Sequence, residues 1–310
     1  MAKQTYPIPK ASARHTDLGN LGRWLAPELI PYAQLMRLDR PVGYWLLVLP
    51  SWFAILLGSN SFNFHTLWYM LIFLVGAVAL RGAGCIINDL WDRDLDRWVS
   101  RTLDRPLASG ILSGRRAIAL FTALISIGIL VLLFLPWRVW FWALASLPLI
   151  VLYPLAKRYI QAPQIVLGLT FSWGVILGWL TVQETLSWQS FWLYAGTFFW
   201  ILYYDTIYAT QDMADDHLLK LNSMPLLLGE YLFTGIQVFA CLTLVCWVLA
   251  LSSGSAGFLA WLGLFAVGTL LLNQLLKLQP ADPIVCLKMF KSNVLIGQVW
   301  CLFLILALIF

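Results

Sequence analysis

Apolar residues run along this chain in long unbroken blocks, separated by short polar breaks. The blocks fall at about 42–58, 66–88, 117–135, 139–156, 164–182, 190–210, 232–251, 257–276 and 292–310. Most approach the roughly 20 apolar residues that a helix needs to cross a bilayer. They are continuous rather than alternating with period two, which excludes a membrane β-barrel. The pattern predicts an all-α integral membrane protein of about nine spans in one bundle. The boundary between the third and fourth blocks is the least marked, because only Pro136-Trp137-Arg138 separates them. Residues 1–24 are polar, contain Pro7 and Pro9, and lack an apolar core of signal-peptide length. A weakly amphipathic approach from about Leu25 to Leu38 follows. The expected organisation is a flexible cytosolic tail over 1–28 and a polytopic membrane domain over 29–310.

Composition supports the membrane assignment: 61% of residues are hydrophobic and only 11% charged, against about 25% charged in soluble domains. The net charge of +5 raises the question of nucleic acid, but the placement of the basic residues answers it. With nine spans and the N-terminus inside, the inner segments are 1–41, 89–116, 157–163, 211–231 and 277–291. They hold 18 of the 20 lysines and arginines. Arg138 lies outside and Arg81 within a span. This is the positive-inside asymmetry of a multi-pass protein, and it accounts for the charge without a nucleic-acid partner. The outer loops at 59–65, 183–189 and 252–256 carry almost no charge, so chemistry is expected on the inner face. Five cysteines lack CxxC spacing and three histidines are scattered, so neither a disulfide framework nor a zinc site is indicated. Gly174 and Gly178 form a small-xxx-small pair suited to helix packing.

Two acidic stretches stand at the ends of apolar blocks. The first is Asn88-Asp89-Leu-Trp-Asp92-Arg-Asp94-Leu-Asp96. On a continuing helix, Asp89, Asp92 and Asp96 share one face, and like charges so placed repel unless a cation joins them. Mg²⁺ takes oxygen ligands from one or two carboxylates, phosphates and water, and Asn88 adds a neutral oxygen. Asp94 points elsewhere and is expected to pair with Arg93 or Arg97. The bland alternative is a solvated loop balanced by its own arginines. The second stretch holds Asp205, Asp212, Asp215 and Asp216, with Asp205 inside the apolar run WILYYDTIYAT, where an ionised side chain is costly and by default functional. Here the bland reading is a helix-end carboxylate reaching water. The two clusters are expected to face each other across one metal–diphosphate site. Basic side chains follow on the same face: Arg101, Arg105, Lys157 and Arg158. Guanidinium groups bind phosphate or carboxylate in paired hydrogen bonds, although positive-inside topology alone also explains many of these charges. Acidic Mg²⁺ ligands, basic anion contacts and apolar walls together point to a lipid diphosphate substrate. Trp91, Tyr153, Tyr204 and Tyr208 are candidates to stabilise a carbocation by cation–π contact.

RLDRPVGYWLL at 37–47, NDLWDRDLDRWVSRTLDRPLASG at 88–110, YPLAKR at 153–158, PQIVLGLTFSWG at 163–174 and YDTIYATQDMADD at 204–216 resemble the UbiA superfamily of membrane prenyltransferases. The likeness runs from about Arg37 to the C-terminus, and the RPVG, YPLAKR and YDTIYA stretches are similar to its 4-hydroxybenzoate branch. The resemblance implies nine helices around a central cavity capped on the cytosolic side. It also implies Mg²⁺-dependent transfer of a polyprenyl group to the ring carbon ortho to the phenol of 4-hydroxybenzoate, in ubiquinone biosynthesis. Position by position, Asn88, Asp92 and Asp96 would hold Mg²⁺ and diphosphate from one side, and Asp212 and Asp216 from the other. Tyr153 and Lys157 match an element near the diphosphate. Arg158 would meet the benzoate carboxylate, with Arg37 and Asp39 lining the aromatic end. One departure stands out. Where the family reads Gly-Ile-Lys-Ser-Thr, this chain has Lys220-Leu221-Asn222-Ser223-Met224, so Lys220 is a candidate substitute for the absent lysine.

Two other readings compete. One is a prenyltransferase of the same superfamily acting on homogentisate, a naphthoate or a haem precursor. The other is a cation transporter, which would place its carboxylates near the midplane rather than at one face. The short N-terminal stretch with few arginines reads poorly as a transit peptide, so a bacterial cell inner membrane is expected. Arg81 is either paired with an acid such as Asp205 or part of the site.

Overall fold

The computed structural model describes residues 25–97, 102, 104–213, 216 and 221–310, excluding the side chains at 95, 153–155, 157 and 158. Among these residues all regular structure is helical. After a 3-10 turn at Pro27–Leu29 come α1 (Ile30–Leu35), α2 (Val42–Gly58), α3 (Phe64–Trp91), the single turn α4 (Arg93–Asp96), α5 (Gly114–Leu133), α6 (Trp137–Ala145) and α7 (Leu147–Tyr159). They are followed by α8 (Pro163–Val182), α9 (Trp188–Ala209), α10 (Met224–Leu228), α11 (Leu232–Ser252), α12 (Phe258–Lys277) and α13 (Pro283–Ile309).

Among the described residues six stretches are long and apolar enough to cross a bilayer: Phe64–Trp91, Gly114–Leu133, Pro163–Val182, Met224–Ser252, Phe258–Lys277 and Pro283–Ile309. The other three expected spans depart from that standard for separate reasons. α2 has 17 residues, about 25 Å at 1.5 Å per residue, which is short of a hydrocarbon core of about 30 Å. α9 has 22 residues, but Ser190, Thr197, Asp205 and its many Trp and Tyr residues lower its hydropathy. The block at 139–156 breaks at Ser146, whose hydroxyl donates to the Ala143 carbonyl at 2.7 Å. Pro148 then opens α7, where a missing N–H costs nothing. A count of nine spans is therefore a pattern-level expectation that the helices meet only in part.

By packing, the chain divides into two compact units. One comprises residues up to Tyr44 with Leu74–Val131, and the other Trp45–Phe73 with Leu132–Phe310. The core of the first unit joins Leu35, Ala79, Ala83, Ile86, Leu107, Leu112, Ala117 and Leu124. Ala79, Ala83, Ile86 and Leu90 recur at helical spacing, so α3 turns one stripe towards α5. A Cβ on Gly82 would stand 3.1 Å from Leu124 and 3.3 Å from Met36, so this glycine sets how closely α1 and α5 approach α3.

In the second unit, Phe53, Trp200, Trp247 and Trp300 form a fully buried aromatic core. Trp247 and Trp300 stack with centroids 4.0 Å apart, and Phe53 lies 4.6 Å from Trp300. The expected packing role of Gly174 and Gly178 is seen here: a Cβ on either would collide with Ser51 of α2. Polar side chains tie the same helices together. Tyr203 donates to Gln274 Oε1 at 2.8 Å, Gln274 donates to Ser292 Oγ at 2.7 Å, and Trp200 donates to Asn293 Oδ1 at 3.0 Å. These buried polar groups thus find partners, as a low-dielectric interior favours. The result fixes α9, which carries Asp205, against α12 and α13.

Candidate functional site

The first acidic stretch is reached where α3 ends. Helical hydrogen bonding persists past that end, with Asp92 N–H on the Asn88 carbonyl at 2.9 Å and Asp96 N–H on Asp92 at 2.8 Å. Side-chain burial nevertheless divides the stretch. Asn88 and Asp92 are exposed, whereas Asp89 is 2% and Asp96 7% exposed. The three carboxylates therefore do not act as one face. Asp94 is outermost and pairs with Arg97 at 3.7 Å, as its outward position suggested.

Asp89 is met by two guanidiniums. α1 closes with Leu38 N–H on the Ala33 carbonyl at 2.9 Å and Arg37 N–H on Gln34 at 3.0 Å, the paired bonds of a Schellman ending. The residue after such a cap is usually glycine. Here it is Arg37, at φ 59°. Its Nη1 donates to the Gln34 carbonyl at 3.0 Å, and its Nη2 straddles both Asp89 oxygens at 2.7 and 2.9 Å. Arg105 arrives from the turn after α4. That turn is anchored by Leu107 and Leu112, 0% and 2% exposed, and by Thr102 Oγ1 donating to the Asp96 carbonyl at 3.0 Å. Arg105 Nη1 donates to Asp89 Oδ1 at 3.1 Å and to Asp96 Oδ2 at 2.8 Å. Buried charges persist only when paired and hydrogen-bonded, and these four side chains balance one another. Among the described residues no three His, Cys, Asp or Glu side chains converge as a ready-made metal cage.

Arg81 lies two turns deeper in α3 and is half-buried. A Cβ on Gly43 would stand 2.9 Å from its Nε and 3.3 Å from its Nη2, so the glycine of RPVG makes room for the guanidinium. Among the described residues Arg81 forms no ion pair. A cation in an apolar helix is expensive, which makes Arg81 a candidate functional residue. This is the residue that sequence reasoning left open; the signal was there, a lone arginine in an apolar run.

In the second unit, Asp205 is half-buried on α9, Asp212 closes the 3-10 turn Thr210–Asp212, and Asp216 is 4% exposed. Tyr204 and Tyr208 both lie against Phe290, with centroids 5.9 and 4.5 Å apart, and Trp200 meets Tyr204 at 5.2 Å. Trp91, expected among the cation-stabilising aromatics, is 76% exposed. Asp39 has Arg40 at 3.7 Å. Tyr153, Lys157 and Arg158 fall on α7, but their side chains lie outside the described residues, as do Arg101, Asp215 and Lys220.

A family model described as the UbiA prenyltransferase family matches residues 47–308. A relative from Caenorhabditis elegans named 4-hydroxybenzoate polyprenyltransferase, mitochondrial, is 46% identical over 66% of this chain and 57% of its own length. Its namesake from Aedes aegypti is 38% identical over 90% of this chain and 64% of its own length. The chain thus spans under two thirds of the length of these two relatives. A solved structure of a UbiA homolog from Archaeoglobus fulgidus bound to GPP and Mg²⁺ superposes with a TM-score of 0.67 at 16% identity. That match covers 90% of this chain and 99% of the homolog, a likeness of fold. The relatives correct one expectation. They are mitochondrial proteins of eukaryotes, so the bacterial inner membrane is not supported. Basic-residue asymmetry reports which side of a bilayer a loop lies on, not which membrane holds it.

Proposed function

This chain belongs to the UbiA prenyltransferase family, and from that membership we propose that it transfers a polyprenyl group from a polyprenyl diphosphate to 4-hydroxybenzoate, in ubiquinone biosynthesis. The C–O bond to diphosphate breaks and leaves an allylic cation. The ring carbon ortho to the hydroxyl supplies the electron pair for the new C–C bond, and that carbon then loses its proton. The observation that supports the reading is an exposed Asn88 and Asp92 one helical turn apart, on the stretch whose buried Asp89 and Asp96 hold the Arg105 guanidinium.

The donor set fits Mg²⁺: a carboxylate and an amide oxygen one turn apart, with substrate phosphate and water to complete the shell. The oxygen donors in this reading are Asn88, Asp92 and Asp96 of the first acidic stretch and Asp212 and Asp216 of the second. Bound Mg²⁺ would neutralise the departing diphosphate. Arg105, Tyr153, Lys157 and Lys220 are the proposed diphosphate contacts. Asp205 and the Tyr204–Tyr208 wall offer negative charge and π faces to a cation. Arg81, with Arg158 and Asp39, is proposed at the acceptor end, since Arg37 already serves Asp89.

The test is an assay in membrane vesicles with 4-hydroxybenzoate and polyprenyl diphosphates of several lengths. Product should form with Mg²⁺ and vanish with EDTA, in Asp92→Ala and in Asp212→Ala, while Asp94→Asn stays near wild type. Product surviving EDTA or either alanine variant would sink the mechanism. Turnover of homogentisate in preference to 4-hydroxybenzoate would reassign the acceptor.

A further inference from the structure

The helix end that carries the open oxygen pair also carries a carboxylate turned the other way. Asp89 is 2% exposed, and its two oxygens accept three hydrogen bonds from Arg37 and Arg105, at 2.7, 2.9 and 3.1 Å. To ligate a cation it would have to release a guanidinium into its own buried surroundings. Both arginines come to it at a cost in local freedom. Arg37 holds a left-handed backbone that a side-chain-bearing residue keeps only where its surroundings enforce it. Arg105 stands on a turn pinned by Leu107 and Leu112. One buried carboxylate therefore joins the end of α1, the end of α3 and the 102–112 turn.

The bonding pattern leaves a specific remainder. Arg105 uses only Nη1, for both Asp89 and Asp96. Among the described residues its Nε and Nη2, and Asp96 Oδ1, make no hydrogen bond. We propose that Asp89 is a positioning residue rather than a metal ligand: it anchors Arg105 so that the rest of the guanidinium is held for diphosphate and Asp96 keeps one oxygen for the cation. The inference rests on the metal–diphosphate reading above. It gives adjacent acids of one motif different work, Asp92 binding the cation and Asp89 ordering the anion contact.

The test uses full-length protein in detergent, with Mn²⁺ as a spectroscopic probe and inorganic diphosphate as the anion. In Asp89→Asn at saturating diphosphate, Mn²⁺ affinity by electron paramagnetic resonance should stay within about twofold of wild type. At saturating Mn²⁺, diphosphate affinity should fall about tenfold, the scale of a lost charge-assisted contact. Asp92→Asn should show the reverse, with Mn²⁺ affinity lost. If Asp89→Asn weakens Mn²⁺ as Asp92→Asn does, Asp89 is a ligand; if neither affinity moves, it positions nothing. Either result overturns the proposal. Should Asp89→Asn fail to fold, Arg105→Lys supplies the second arm, because lysine keeps a cation for Asp89 and Asp96 but loses the remaining guanidinium N–H groups. It should lower diphosphate affinity without changing Mn²⁺ affinity, and unchanged diphosphate affinity would count against the proposal. Wild type that binds no Mn²⁺–diphosphate, or Asp92→Asn that binds it normally, would instead remove the underlying metal reading.

Discussion

Arg81 and Asp89 lie two turns apart on one helix, and each is a charge where an apolar residue would be cheaper. Asp89 is matched by two guanidiniums, whereas Arg81 packs against Gly43 and forms no ion pair among the described residues. A matched charge can be structural, but an unmatched one needs a ligand to repay its burial. The expected outcome for Arg81→Ala is a rise of about tenfold or more in KM for 4-hydroxybenzoate, from a lost charge-assisted hydrogen bond. KM for the polyprenyl diphosphate should move less than about twofold on that scale, and turnover of phenol, which lacks the carboxylate, should be unaffected. Equal changes in both KM values would show that Arg81 supports the helix rather than the acceptor. At this scale the kinds of residue were legible and their pairings were not. The spacing of Asp89, Asp92 and Asp96 suggested one face, yet the buried neighbours of Asp89 come from residues 52 positions before it and 16 after it.

Helices pack in this chain through glycines that admit a neighbour's side chain or backbone. Gly174–Gly178 could be read from spacing alone because small residues one turn apart make a groove on any helix. Gly196 and Gly297 could not, since their partners are Trp247 and Leu49 with Trp200, and only the assembled unit says which bulky residue arrives. A packed glycine and an open one should respond oppositely to alanine. At Gly178 the new Cβ would strike the Ser51 backbone, so Gly178→Ala should destabilise by about 1–3 kcal/mol, as overpacked sites do. At Gly84, with nothing within 4 Å, Gly84→Ala should stabilise by up to about 1 kcal/mol through helix propensity. Thermal unfolding of the two variants in detergent checks both signs, and a fall in both would mean that Gly84 faces a partner.

For the whole molecule, hydropathy and basic-residue bias along the chain predict an orientation, with the acidic stretches on the inner side. Within the second unit, cysteines placed at Asn60 and Gln279 in a Cys241→Ser background should react with a membrane-impermeant maleimide from opposite sides of sealed vesicles. Labelling of both from one side would break the topology. The bias could not name the membrane, and the relatives moved that assignment away from bacteria. The all-helical class and the two acidic stretches follow from local sequence. Transfer free energy and helical period act on neighbouring residues and need no knowledge of the rest of the chain. Which acid is buried, which arginine crosses to meet it, and where an apolar block breaks were settled only by folding. Those outcomes depend on contacts between distant segments, such as Arg37 and Arg105 on Asp89.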